Sequence, residues 1–116
     1  MKSILFALSM SLLMAAGPCF GHAKLTSSVP ASNSQLTSAP KTLTLTFNEE
    51  ATLAVLKLVS AGKEIPIPLD KSVKSGREFT LSLPALPPGS YVVQWSAVAA
   101  DDGHVTKGSF TFTITG

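Results

Sequence analysis

The chain has 116 residues and a formal net charge of +2 at pH 7. This length suits one domain with a single hydrophobic core. The nine lysine and arginine residues are scattered rather than clustered, which excludes a nucleic-acid-binding surface.

The first predicted element is a secretory signal peptide over residues 1–21. Lys2 supplies a positive charge, residues 4–16 form an apolar run, and the small residues that follow suit cleavage after Gly21. A membrane anchor is the alternative, but the apolar run is shorter than the roughly 20 residues that a bilayer span requires. We therefore expect an exported protein whose mature domain is residues 22–116.

Two other cleavage positions fit less well. Pro18 would follow a cut after Gly17 and hinder it, and a lipoprotein cut before Cys19 normally needs Gly or Ala where Pro18 stands. Cleavage after Gly21 removes the one cysteine and all three methionines, and it removes the charge of Lys2. The mature domain is then expected to have neither a disulfide nor a sulfur ligand.

The mature sequence is composed of short strand patterns separated by turn residues. Residues 42–47 alternate polar and apolar side chains, which is typical of a half-buried strand. Tyr91, Val93 and Trp95 share one face, so Trp95 is predicted in the core; a surface aromatic site is the alternative. Seven strands are predicted, over residues 24–29, 42–47, 55–59, 64–67, 79–83, 91–100 and 109–114.

These patterns predict an all-β fold. Turn signals occur over residues 30–40 and at Pro87-Pro88-Gly89, and the strand spacing indicates a single seven-stranded antiparallel Greek-key β-sandwich with immunoglobulin-like or cupredoxin-like topology. Tyr91 opens its strand in the manner of a tyrosine corner.

His22 is the first candidate metal ligand. If cleavage follows Gly21, His22 offers both its α-amine and its imidazole, spaced to close a chelate ring on one metal ion. An α-amino group titrates near pH 8, so a metal can displace its proton at neutral pH. A frayed, solvated terminal histidine is the alternative.

Asp102 and His104 form the second candidate. In an extended strand residues two apart face the same side, so an oxygen and an imidazole donor would project together, with Gly103 leaving room between them. An ordinary polar turn is the alternative, because Asp-Gly is a strong turn dipeptide.

Together these donors suit one metal. An amine nitrogen, two imidazole nitrogens and a carboxylate oxygen match the tetragonal surroundings that Cu(II) prefers, and Cu(II) leads Zn(II) in the Irving–Williams order. Because the mature chain would contain no cysteine or methionine, a Cu(I) site and a blue-copper site are disfavoured. Glu49 or Glu50, after the predicted strand 42–47, could add a weak ligand or bond to a ligand imidazole; solvated loop carboxylates are the alternative.

The mature chain also resembles the CopC family of copper-resistance proteins, and the resemblance covers essentially all of residues 22–116. It rests on segments that combine the proposed ligands with the turn and strand signatures. These segments are His22-Ala23-Lys24-Leu25, Ser27-Ser28-Val29-Pro30-Ala31, Leu45-Thr46-Phe47-Asn48-Glu49, Leu86 to Trp95, and Asp102-Gly103-His104 leading into Gly108 to Phe112.

The resemblance implies a periplasmic copper carrier with a seven-stranded β-sandwich fold. It implies Cu(II) ligation by His22, Asp102 and His104, with Glu49 close to the metal, and a CopD-like inner-membrane importer as partner. The methionine-rich loop with which some members bind Cu(I) has no counterpart here, because the mature chain contains no methionine. We expect a monomeric carrier and no enzymatic activity.

Two other classes of function remain open at this point. An N-terminal histidine with a second histidine also forms the copper brace of polysaccharide monooxygenases, although those enzymes are much larger. The other alternative is a plain immunoglobulin-like interaction module in which the histidines bind no metal.

Overall fold

The computed structural model describes residues 23–69 and 75–116. No helix occurs in this part of the chain, and thus none that is long and apolar enough to cross a bilayer. The predicted signal peptide, its cleavage site and His22 lie outside the described residues. The strands, in chain order, are β1 Leu25–Val29, β2 Ser34–Leu36, β3 Thr42–Ser60, β4 Lys63–Ile65, β5 Gly76–Ser82, β6 Gly89–Ala99 and β7 Val105–Ile114.

The long strand β3 belongs to both layers of a sandwich. Its first half pairs with β1 and β5, and its second half pairs with β6 and β4, all antiparallel. The register shifts between Thr46 and Ala51 on the β5 side and between Leu53 and Val55 on the β6 side, and such irregularities bend a strand. One layer is therefore β1–β3–β5, and the other is β4–β3–β6–β7–β2.

The core lies between the two layers and is built from alternate strand residues. Every second residue of β6 from Tyr91 to Ala99 is buried, as the two-residue period of a strand requires. Phe47 of the first layer meets Trp95 of the second edge to face, with ring centroids 5.2 Å apart. Trp95 is 7% exposed, which confirms the prediction that it is a core residue.

Tyr91 closes the turn that leads into β6. Its phenolic O–H donates a hydrogen bond to the Pro87 carbonyl, and its ring stacks on Phe112 with centroids 5.3 Å apart. The prediction of a tyrosine corner is therefore confirmed.

The predicted β-sandwich is confirmed, with differences in individual strands. The two strands predicted over residues 42–47 and 55–59 are one continuous strand, β3. β2 lies within the segment 30–40 that is predicted as turn, and it pairs parallel with β7, so the sheet is mixed rather than purely antiparallel. β4 ends at Ile65, ahead of Pro66, which has no N–H to donate to a ladder.

Candidate metal centre

Asp102 and His104 lie in the turn that joins β6 to β7. Asp102 Oδ1 accepts a hydrogen bond of 2.9 Å from the backbone N–H of His104. Gly103 between them has φ of 71°, a left-handed conformation that glycine adopts without steric cost. Its N–H donates to the Ala99 carbonyl at 3.0 Å, and the Ala99 N–H donates to the His104 carbonyl at 2.9 Å. Both candidate ligand side chains are exposed at this end of the sandwich.

The hypothesis that residues 102–104 form an extended strand is wrong. The segment is a turn, which is the alternative that the Asp-Gly dipeptide favours, because the short Asp side chain bonds its own backbone two residues on. The Asp102 carboxylate contacts the backbone of His104, from whose N–H it accepts a hydrogen bond.

Glu49 lies in β3 where that strand passes from one layer to the other, and its side chain is half-buried. The carbonyl of the adjacent Glu50 accepts a hydrogen bond of 3.0 Å from the N–H of Ala100, which links this part of β3 to the β6–β7 turn. Within residues 23–69 and 75–116, no three histidine, cysteine, aspartate or glutamate residues form a group that could hold a metal ion. The described residues therefore do not gather Glu49, Asp102 and His104 into a three-ligand group.

Ala23, the residue covalently joined to His22, is held against β7. The Thr106 hydroxyl donates a hydrogen bond of 2.7 Å to the Ala23 carbonyl. Ala23 is fully buried, with 0% of its surface exposed. Thr106 follows His104 by two residues, so this bond ties the start of the described chain to the strand that begins after His104.

Lys24, the next residue, is held by Asn48 of β3. The Lys24 N–H donates to Asn48 Oδ1 at 2.7 Å, and the Asn48 N–H donates to the Lys24 carbonyl at 2.9 Å. Asn48 immediately precedes Glu49. The segment that follows His22 is therefore bonded on one side to β3, which contains Glu49, and on the other to β7, which begins just after His104.

No motif in the sequence singles out Asn48 or Thr106. Their hydrogen bonds join residues 24 and 83 positions apart, respectively, so no local pattern reveals them. Asn48 does fall within a segment that carries the family resemblance, but without an assigned role.

Comparisons with known proteins find similarity along nearly the whole chain. Residues 25–115 match the CopC domain. Protein YobA of Escherichia coli K12 is 33% identical, over 97% of this chain and 95% of its own length. Copper resistance protein C of Escherichia coli is also 33% identical, over 80% of this chain and 81% of its own length. Copper transport protein CutJ of Bacillus subtilis is 32% identical, over 82% of this chain but only 18% of its own length.

Solved structures extend the similarity to the fold. CopC from Methylosinus trichosporium OB3b superposes with a TM-score of 0.69 at 27% identity, covering 81% of this chain and 94% of that structure. PcoC, a copper resistance protein from Escherichia coli, superposes with a TM-score of 0.61 at 27% identity, covering 79% of this chain and 99% of that structure. With a domain match over residues 25–115 and relatives of this similarity, the chain belongs to the CopC family.

Proposed function

We propose that this protein binds Cu(II) in the periplasm and buffers or carries it. The proposed ligands are the α-amine and imidazole of His22, the Asp102 carboxylate and the His104 imidazole, with Glu49 as a further, weaker ligand. The copper ion is cargo in this proposal, and the protein has no catalytic role.

One observation carries the proposal: Ala23 is bonded to Thr106. His22 is joined to Ala23, and Thr106 stands two residues after His104, so the donors at the start of the mature chain are tethered to β7, which begins just after the proposed ligand His104. The bonds between Lys24 and Asn48 tether the same segment to the residue before Glu49.

The donor chemistry favours Cu(II). Amine, imidazole and carboxylate donors match the nitrogen and oxygen surroundings of Cu(II), whereas Cu(I) prefers sulfur. All of the chain's methionines and its cysteine precede Gly21, so the proposed mature protein offers no sulfur ligand. Binding requires deprotonated nitrogens, so it releases protons and weakens in acid.

Transfer of copper to a CopD-like inner-membrane importer is the proposed fate of the cargo. The similarity to Copper transport protein CutJ supports this part, because a stretch similar to this chain accounts for 18% of a protein named for copper transport. The predicted signal peptide supports a site of action outside the cytoplasm.

The deciding experiment changes the position of the amine. We expect the processed protein to start at His22, as checked by mass spectrometry of the exported product. A variant with one glycine inserted between Gly21 and His22 moves the α-amine away from the imidazole. Its Cu(II) affinity should fall by several orders of magnitude, since each lost donor costs a few kcal/mol and about 1.4 kcal/mol is tenfold.

A glycine added after Gly116 is the matched control, because it lengthens the chain equally without touching the proposed ligands. It should leave the affinity unchanged. If the chain extended before His22 binds Cu(II) as tightly as the processed protein, the proposed coordination is wrong.

A further inference from the structure

The Ala23 carbonyl is hydrogen-bonded to a side chain of β7. It accepts a part-buried hydrogen bond of 2.7 Å from the Thr106 hydroxyl. In the β6–β7 ladder Thr106 is paired with Ala97, and Ala99 lies two residues further along the same buried face. Ala23, Ala97 and Ala99 all belong to the buried core.

A second anchor acts on the next residue. The paired bonds between Lys24 and Asn48 resemble the two bonds of a ladder pair, but one acceptor is the Asn48 side chain. The pairing of β1 with β3 begins only at Leu25. Thr106 and Asn48 therefore supply hydrogen bonds to residues 23 and 24 ahead of the β1–β3 ladder, in addition to the burial of Ala23.

We infer that Thr106 and Asn48 are positioning residues that aim the N-terminal donor residue at the Asp102–His104 turn. The inference rests on the proposed function, because it concerns how the ligands of that site are brought together. Neither residue is a proposed ligand. Each fixes the backbone from which His22 extends, so less conformational freedom is lost when the metal is bound.

The expected loss of Cu(II) affinity can be estimated from the behaviour of other metal sites. Groups that orient ligands without touching the metal typically contribute 10- to 100-fold to affinity. The variant Thr106→Val removes the hydroxyl and keeps the branched shape, and we expect it to weaken Cu(II) binding by roughly 10- to 100-fold. Thr106→Ser keeps the donor and should stay within about threefold of the parent protein.

Thr115→Val is the matched control. The Thr115 hydroxyl also donates to a backbone carbonyl, that of Leu36 at 3.1 Å, but it lies beyond the other end of β7. Both valine variants lose a hydroxyl-to-carbonyl hydrogen bond, part-buried at Thr106 and exposed at Thr115. Urea unfolding of each variant shows whether it folds, and only Thr106→Val should weaken Cu(II) binding.

A double-mutant cycle separates positioning from a structural role. With one glycine inserted before His22 the amine donor is already misplaced, and Thr106→Val should then change the Cu(II) affinity by less than about threefold, because coupled residues are not additive. An equal loss in both backgrounds overturns the inference. Asn48→Ala, tested in the same two backgrounds, gives an independent answer if Thr106→Val does not fold.

The outcomes distinguish this inference from the proposed function. If the glycine inserted before His22 has no effect, the proposed coordination fails whatever Thr106 does. If that glycine weakens binding as expected while Thr106→Val and Asn48→Ala bind like the parent protein, the coordination stands and the positioning role is wrong.

Discussion

Tyr91 shows how one residue can stabilise this fold in a pH-dependent way. It is the only tyrosine of the chain, it is 1% exposed, and its O–H donates to the Pro87 carbonyl. Burial raises the pKa of the Tyr91 phenol above its usual value of 10.0, because the charged form is poorly solvated. The folded protein therefore holds the Tyr91 proton more tightly than the unfolded chain does.

This difference predicts a loss of stability in alkali. Below about pH 10 both states are protonated and the contribution of Tyr91 is fully present. As pH rises above that value the unfolded chain loses the proton first, so the free energy of unfolding falls. Urea unfolding at increasing pH measures the fall, and the absorbance of the single tyrosinate reports the ionisation directly.

The variant Tyr91→Phe keeps the stacking ring and removes the O–H. It should lower the free energy of unfolding at neutral pH by about 0.5–1.5 kcal/mol, because the Pro87 carbonyl loses its donor. It should also lose the part of the alkaline destabilisation that Tyr91 causes. An unchanged alkaline profile in Tyr91→Phe would assign that destabilisation to other groups.

Gly108 is required by the indole of Trp95. A Cβ at position 108 would lie 2.7 Å from Trp95 Cζ2 and 2.9 Å from Cε2, well inside van der Waals contact. The ring also packs on Phe47, so it cannot move without disturbing the contact between the two layers.

Gly108→Ala should therefore destabilise the protein by about 1–3 kcal/mol, the usual cost of overpacking a core. The fluorescence of the single tryptophan and urea unfolding measure the change. Gly76→Ala is the control, since a Cβ there meets nothing within 4 Å, and it should be neutral or slightly stabilising. Similar losses in both variants would show that the contact with the Trp95 ring is not the cause.

At the scale of elements, the turn between β3 and β4 has an unfavourable residue. Ser60 and Lys63 are paired across a two-residue turn in which Ala61 has φ of 52° and Gly62 has φ of 77°. Positive φ at both positions is the type I′ turn that suits the twist of a hairpin. Glycine adopts this conformation freely, whereas alanine is strained in it.

Ala61→Asn should stabilise the protein by about 0.5–1 kcal/mol, because Asn-Gly is the preferred sequence for this turn and tolerates the left-handed region. Ala61→Val should destabilise it, since a branched Cβ worsens the strain. Thermal and urea unfolding of the two variants check the prediction, and an unstable Ala61→Asn would argue against the turn geometry.

The strands also differ in how well the sequence predicts them. Alternation predicts β6 well, because every second residue from Tyr91 to Ala99 is buried. It predicts only residues 109–114 of β7, because no residue from 105 to 109 is buried. It divides β3 in two, because the bend between the layers interrupts the pattern at residues 48–54. It misses β2, whose three residues pair in parallel with a strand that is distant in sequence.

At the scale of the whole molecule, copper binding and folding should be coupled. The proposed ligands come from the start of the chain, from β3 and from the β6–β7 turn, so the unfolded chain lacks the assembled site. A ligand that binds only the folded state stabilises it by about 4 kcal/mol at a free concentration of 1,000 times Kd. Cu(II) should therefore raise the midpoint of thermal unfolding.

His104→Ala is the matched variant for this prediction. Loss of His104 should remove most of the increment due to Cu(II), measured against the metal-free stability of the same variant. The increment should also shrink in acid, because protons compete with the metal for its nitrogen ligands. A Cu(II) increment that survives in His104→Ala would place the metal elsewhere on the protein.

The sequence by itself determined the class of fold, the buried face of most strands and the chemistry of the candidate donors. These properties follow from side-chain periodicity, turn residues and residue type, all of which are local. Only the tertiary structure decided that β3 serves both layers, that Asp102 and His104 meet in a turn, and that Thr106 and Asn48 hold the residues after His22. Those features depend on hydrogen bonds between distant parts of the chain, whose geometry is set by the packing of the two sheets.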